Sequence, residues 1–169
     1  MTFNVLNLNE APTNLNLSST SFNENITAGS AVASLSSTDP DTDESFTYSL
    51  VTGNGSTDNA AFLMDGTQLK INTSPDFESK SSYSIRLRTT DAAGLSFENS
   101  YLLSVLNLNE APTNLNLSST SFNENIAAGT AVATLSSNDP DSGDSFTYSL
   151  VTGNGSTDNA AFLMDGTQL

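Results

Sequence analysis

Acidic residues gather in short phrases between apolar stretches: NENI at 23–26, DPDTDESF at 39–46, PDFESK at 75–80, TTDAAG at 89–94, and LNLNEAP at 6–12 and again at 106–112. Carboxylates, asparagine amides and backbone carbonyls in such loops are the oxygen donors that a hard cation such as calcium collects, six to eight at a time. Asp, Asn, Ser and Gly are also ordinary turn residues, so one phrase by itself carries no metal signal. Two familiar motifs are excluded by position. The run from Asp39 has Asp41 and Asp43 in place for an EF-hand, but Glu44 stands where that loop needs Gly and Leu50 where it needs a bidentate Glu; the second copy fails at Gly143 and Leu150. GNGSTD at 53–58 has Asp58 where a phosphate-binding loop needs its third Gly, and reads as a turn at Asn54-Gly55.

The rest of the composition narrows the chemistry further. The chain has no Cys and no His, which removes disulfides, Cys/His zinc sites, thiol nucleophiles and every His-based triad. Its net charge is -15, and its only basic residues are Lys70, Lys80, Arg86 and Arg88. Such a surface repels nucleic acid and anionic membrane and suits cations. No apolar run approaches the roughly 20 residues that span a bilayer. The start MTFNVLNLNE lacks the basic and apolar regions of a signal peptide, so export is expected to be directed from elsewhere.

The elements that must position these loops are strands. Period-two alternation recurs at intervals of about 8–12 residues, the pattern of an all-β sandwich. Leu15 and Leu17 open the first strand, Ala31, Ala33 and Leu35 alternate in the next, and Phe46, Tyr48 and Leu50 face inward in a third, opposite Thr47, Ser49 and Val51. AFLMDGTQLKI predicts a hairpin with a type I′ turn at Asp65-Gly66. Tyr83, Ile85 and Leu87 form an inward row opposite Arg86 and Arg88, and Tyr101, Leu103 and Val105 close the set. No segment carries a helical period.

Residues 5–69 return at 105–169 with only seven differences, at 27, 30, 34, 38, 42, 43 and 44 of the first copy. A period of 100 residues is too long for a solenoid unit and matches autonomous domains in tandem. Residues 1–9 read as the last strand and linker of a preceding repeat, 10–109 as a complete repeat, and 110–169 as a truncated second repeat, so the chain is expected to be a piece of a longer array.

In order and spacing, NEN at 23–25, DPD at 39–41, DFESKSSYSIRLRTTDAAG at 76–94 and NEAP at 109–112 resemble the cadherin repeat, in particular the cadherin-like repeats of large bacterial surface proteins. The resemblance covers essentially the whole unit. It implies tandem Greek-key seven-stranded β-sandwiches of immunoglobulin-like architecture joined end to end, with calcium ions at their junctions. Carried over residue by residue, it implies one junction site made of Glu24, Asp76 and Glu78, then Asn107, Asn109 and Glu110, then Asp139 and Asp141. Asn7, Asn9, Glu10, Asp39, Asp41 and Asp91 form a half-site for a preceding repeat. The junction contains six carboxylates, whose charge three divalent ions would balance. Asn7 and Asn107 stand where the family usually has Asp, which implies weaker binding.

The function expected from these readings is a calcium-binding, extracellular or cell-surface module that supports adhesion through stiffened junctions. Its partners would be neighbouring repeats, with homophilic or other cell-surface partners, and neither nucleic acid nor a membrane interior. The alternative is a metal-independent spacer or carbohydrate-binding β module of an exported enzyme. Paired carboxylates could serve a glycosidase. They lie at strand ends among turn residues with no implied cleft, so the chain is not read as an enzyme.

Overall fold

The computed structural model describes residues 1–42 and 44–169 and divides them into two compact units, Met1–Leu108 and Asn109–Leu169. The first unit contains β1 (Asn14–Leu17), β2 (Ser21–Asn23), β3 (Ala31–Thr38), β4 (Thr47–Leu50), β5 (Phe62–Asp65), β6 (Gln68–Ile71), β7 (Ser82–Thr90) and β8 (Ser96–Leu106). They make two four-stranded sheets, ordered β1-β3-β6-β5 and β2-β8-β7-β4. This is the all-β sandwich that the alternation predicts. Its eight segments correspond to seven strands because the first strand changes sheets. β1 pairs antiparallel with β3, and three residues later β2 runs parallel to β8. At the crossing the Ser19 hydroxyl donates to Ser21 O at 2.7 Å and accepts from Ser21 N at 3.1 Å, replacing the ladder bonds the backbone gives up there.

β7 shows why these residues make a sandwich. Tyr83, Ile85, Leu87 and Thr89 are buried, whereas Ser84, Arg86, Arg88 and Thr90 on the other face are only partly covered. Leu15, Leu69, Ile71, Ile85, Leu87 and Leu103 are almost fully buried between the sheets, each contributing about 1.5–3 kcal/mol of transfer free energy. Phe22, Phe62 and Tyr83 pack as an aromatic cluster with centroid separations of 5.3–6.2 Å.

Two local expectations change. A register shift between Ala31 and Ala33 in the β3–β6 pairing exposes Ala31 and buries Val32 and Ala33 together, so the simple alternation from Ala31 fails there. In the β5–β6 hairpin Asp65 pairs with Gln68, leaving Gly66 and Thr67 as the turn, and only Gly66 has positive φ (59°). That is the requirement of a type II′ turn, not of the expected type I′.

The open edge of β7 beyond the end of β4 is closed by the loop at 51–59. Val51 N donates to Arg86 O at 3.0 Å, Asp58 N to Ser84 O at 2.9 Å, Ser84 N to Asp58 Oδ2 at 2.7 Å, and Arg86 N to Asn59 Oδ1 at 2.9 Å. An exposed edge is thereby paired, which removes a site for wrong association.

The second unit contains β9 (Asn114–Leu117) and β10 (Leu135–Asn138), paired antiparallel as β1 and β3 are. Two isolated bridges, Thr134 to Gln168 and Asp165 to Gln168, mark the places where β3, β5 and β6 pair in the first copy. Asp43, named in the EF-hand comparison, lies outside the described residues.

Candidate metal centre

Strand parity builds the first acidic cluster. On β3 the inward positions run Leu35, Ser37 and then Asp39; on β7 they run Leu87, Thr89 and then Asp91. Ser37 Oγ donates to Thr89 Oγ1 across the sandwich at 2.9 Å, and Thr89 is fully buried. The core therefore grades from aliphatic to hydroxyl to carboxylate toward one end of the unit. Asp39 and Asp91 are the next inward positions just past the strands.

Loop and linker residues complete this end. Asp41 N donates to Asp39 Oδ1 at 2.9 Å, and Glu10 N donates to Asp41 Oδ2 at 2.8 Å. The Asn7 amide is hydrogen-bonded to Asp41 Oδ1, and the Asn9 amide donates to Asp91 Oδ2 at 2.9 Å. Asn7, Asn9, Glu10, Asp39, Asp41 and Asp91 thus form one connected group within the first unit. Glu44, which sequence reasoning used only to reject an EF-hand, approaches the same loop by accepting from Ala92 N at 3.4 Å.

The Asn9 amide holds the Asp91 carboxyl below its ordinary range, aided by the N–H groups of Leu95, Gly94 and Ala93 against a smaller desolvation effect. Asp39 Oδ2 is buried without a hydrogen-bond partner among the described residues. A buried carboxylate oxygen left in this state is costly unless a cation or donor meets it. Nor does a basic side chain reach the group: among the described residues, the ion pairs join Lys70 to Asp65, Lys80 to Asp58, and Arg86 and Arg88 to Glu98.

The other end of the first unit, where β7 starts and β8 finishes, carries Glu24, Asp76, Glu78 and Asn107. Glu24 is 1% exposed, its Oε2 accepting from Phe77 N at 2.8 Å and its Oε1 from Leu108 N at 2.7 Å. Carboxylate oxygens of Glu24 and Glu78 approach within 4.8 Å. Asp76 is engaged locally: the Ser79 hydroxyl and N–H, at 2.8 and 2.9 Å, hold its carboxyl below the ordinary range. Asn107 is exposed, one residue beyond β8.

In the second unit, Glu110 N donates to Asp141 Oδ2 at 2.7 Å, Asp141 N donates to Asp139 Oδ1 at 3.1 Å, and the Asn109 amide donates to Glu110 O at 2.9 Å. Asp139, Asp141 and Asp144 bring carboxylate oxygens within 4.8 Å of one another, and Asp139 Oδ2 is again buried without a partner. Asp144 is the member that sequence reasoning missed. Its signal was present in the DPDxxD spacing, but that run was weighed only against the EF-hand pattern.

No protein-family model matches the chain, and no curated protein matches it. Solved structures do. The protocadherin GammaB4 extracellular domain is 25% identical with a TM-score of 0.53, covering 82% of this chain and 23% of that one. Human protocadherin-24 EC1-2 gives 22% and 0.55, covering 73% and 56%, and human CDH23 EC21-23 gives 22% and 0.54, covering 83% and 49%. The chain therefore spans between about a quarter and just over half of these solved chains. Sequence and structure agree on the architecture: the chain has the fold of the cadherin extracellular domains.

Proposed function

We propose that the protein is a calcium-binding extracellular module of a surface protein, whose acidic domain ends hold ions that stiffen a string of β-sandwiches and so support adhesion. The observation that carries this reading is the buried Oδ2 of Asp39, unpartnered among the described residues and repeated at Asp139, whose carboxylate lies within 4.8 Å of those of Asp141 and Asp144. The donor set fits the ion, being all oxygen, mostly carboxylate and free of Cys and His. Asn7 and Asn9, which now donate amide N–H to Asp41 and Asp91, would present carbonyl oxygen after a half-turn of the amide. The resemblance assigns Glu24, Asp76, Glu78, Asn107, Asn109, Glu110, Asp139 and Asp141 to one shared site. It assigns Asn7, Asn9, Glu10, Asp39, Asp41 and Asp91 to the receiving half of another.

Bound calcium would offset the repulsion among these carboxylates, acting on shape without turnover. The solved relatives support this reading by fold, and one of them is described as a cis-dimer, which supports a second copy as a candidate partner. Phe22, Tyr48, Phe62, Phe77, Tyr83, Phe97 and Tyr101 lie in or against the core of the first unit, where they serve packing and not the stacking of a carbohydrate. No helix among the described residues is long and apolar enough to cross a membrane.

Calorimetric titration should give calcium binding with Kd on the order of 0.1–1 mM, the range of extracellular modules. Binding should weaken in Asp139→Ala/Asp141→Ala, and calcium should raise the melting temperature and lengthen the particle in X-ray scattering. Identical melting and scattering in calcium and in EDTA would rule the proposal out.

A further inference from the structure

Asp39 and Asp91 belong to different sheets. Asp39 follows β3, which pairs with β1 and β6, and Asp91 follows β7, which pairs with β4 and β8. Ladder hydrogen bonds fix each strand within its own sheet and leave the distance between the sheets to the side chains of the core. Four residues before the two aspartates, Leu35 and Leu87 are buried members of one core cluster, and apolar packing of this kind is strong but non-directional. Two residues before them, Ser37 Oγ donates to Thr89 Oγ1 at 2.9 Å, with Thr89 fully buried. A hydrogen bond has a preferred length and angle, so it holds the sheets at one spacing where packing alone would tolerate a range.

Stability alone does not call for this pair. Exchanging both partners of a buried hydrogen bond for apolar groups of the same shape is nearly neutral or stabilising, and Ser37→Ala with Thr89→Val is such an exchange. What the hydroxyls add is a defined spacing, and they add it next to both carboxylates. We infer that Ser37 and Thr89 are positioning residues for the cation site, a role that rests on the calcium reading above. They act through Asp39 and Asp91, whose separation across the sandwich they set, and do not themselves contact the ion.

Spacing matters to this ion because calcium takes its oxygens at about 2.3–2.6 Å, and carboxylates on two separate sheets meet that distance together only if the sheets are held. Asp91 also carries its own reporters. Gly94 N and Leu95 N donate to its Oδ1 at 2.6 and 2.8 Å, so these two amides register where its carboxyl sits.

The test places Ser37→Ala/Thr89→Val in the whole protein and follows the Gly94 and Leu95 amides by NMR. In EDTA its urea midpoint should equal or exceed the parent's, while hydrogen exchange at the two amides quickens. Calcium titration at the same amides should give a Kd at least about tenfold above the parent's, the scale on which groups behind a metal's ligands act. Thr89→Ser keeps the hydroxyl and loses a methyl, so it should lower the urea midpoint yet bind calcium within about twofold of the parent. Exchange or affinity that stays at the parent's value in the double variant would overturn the inference, as would an affinity loss accompanied by a lower urea midpoint. Parent amides that ignore calcium would instead overturn the calcium reading, and the role of the pair with it. Should the double variant not fold, Ser37→Ala removes the same bond and is judged by exchange and affinity.

Discussion

Residues 5–69 and 105–169 are nearly the same sequence, yet Leu15 is 2% exposed and Leu115 64%, and Phe22 is 8% exposed and Phe122 58%. The missing ingredient is the β7–β8 hairpin. In the first unit it carries Tyr83, Ile85, Leu87, Leu103 and Val105 into the space that the shared residues line. The second copy is followed by no counterpart of residues 70–106 in these 169 residues. What survives in it joins residues within the copy itself: the β9–β10 pair, the turn at 153–156, and the edge-to-face contact of Phe122 with Phe162 at 6.1 Å, which matches Phe22 with Phe62 at 6.2 Å. The acidic loop survives too: Glu110 N bonds Asp141 across 31 residues and Asp141 N bonds Asp139 two residues away, at the end of the β9–β10 pair that this unit keeps. A loop that organises its own carboxylates needs less of the core than a strand does.

Paired substitutions test this contrast directly. Leu15→Ala should destabilise the protein by about 2–5 kcal/mol in urea unfolding, whereas Leu115→Ala should stay within about 0.5 kcal/mol. Equal losses would mean that the second unit has a packed core of its own. Glu24→Gln should cost about 1.5–3 kcal/mol, since its carboxylate accepts from Phe77 N and Leu108 N while buried. Glu124→Gln, at an exposed position, should be silent in the same measurement. Gly55→Ala and Gly155→Ala should both cost about 1–2 kcal/mol of backbone strain in the loop, and Gly55→Ala more because its Cβ meets Ser100. Equal losses for the two in urea unfolding would show that the Ser100 contact adds no strain of its own.

The pH dependence should also separate the regions. Asp91 has a folded-state pKa below its ordinary value of 3.8, so its stabilising contribution is complete above that value. The contribution is lost as pH falls through the lower folded-state value. Melting curves of the parent and Asp91→Asn should therefore converge in acid and differ above it. A constant difference across that window would show that the folded protein does not hold the Asp91 carboxyl below its ordinary range.

The strands, the acidic loops and their order were legible in the sequence because they rest on short periods and local turn chemistry. Tyr83, Ile85 and Leu87 had to share a face, and DPD had to lie in a loop. Other features were hidden. Nothing local marks Ser18–Thr20 as the point where the first strand leaves one sheet for the other. The burial of Val32 beside Ala33 follows from a register shift against β6, which is set across the sheet. The engagement of Tyr101 Oη with Leu15 O joins residues 86 apart.

By itself the sequence determined the β class, the hundred-residue period, the exclusion of thiol and imidazole chemistry, and the candidate oxygen donors. Tertiary structure decided which of those donors meet. Asp39 and Asp91 lie at the same end of the first unit because β3 and β7 face each other, with Ser37 bonded to Thr89 between them. Within these 169 residues it also covered Leu15 and Phe22 with the β7–β8 hairpin, whereas Leu115 and Phe122 are exposed. Burial is a property of what lies opposite a residue, and the residues opposite belong to a distant part of the chain.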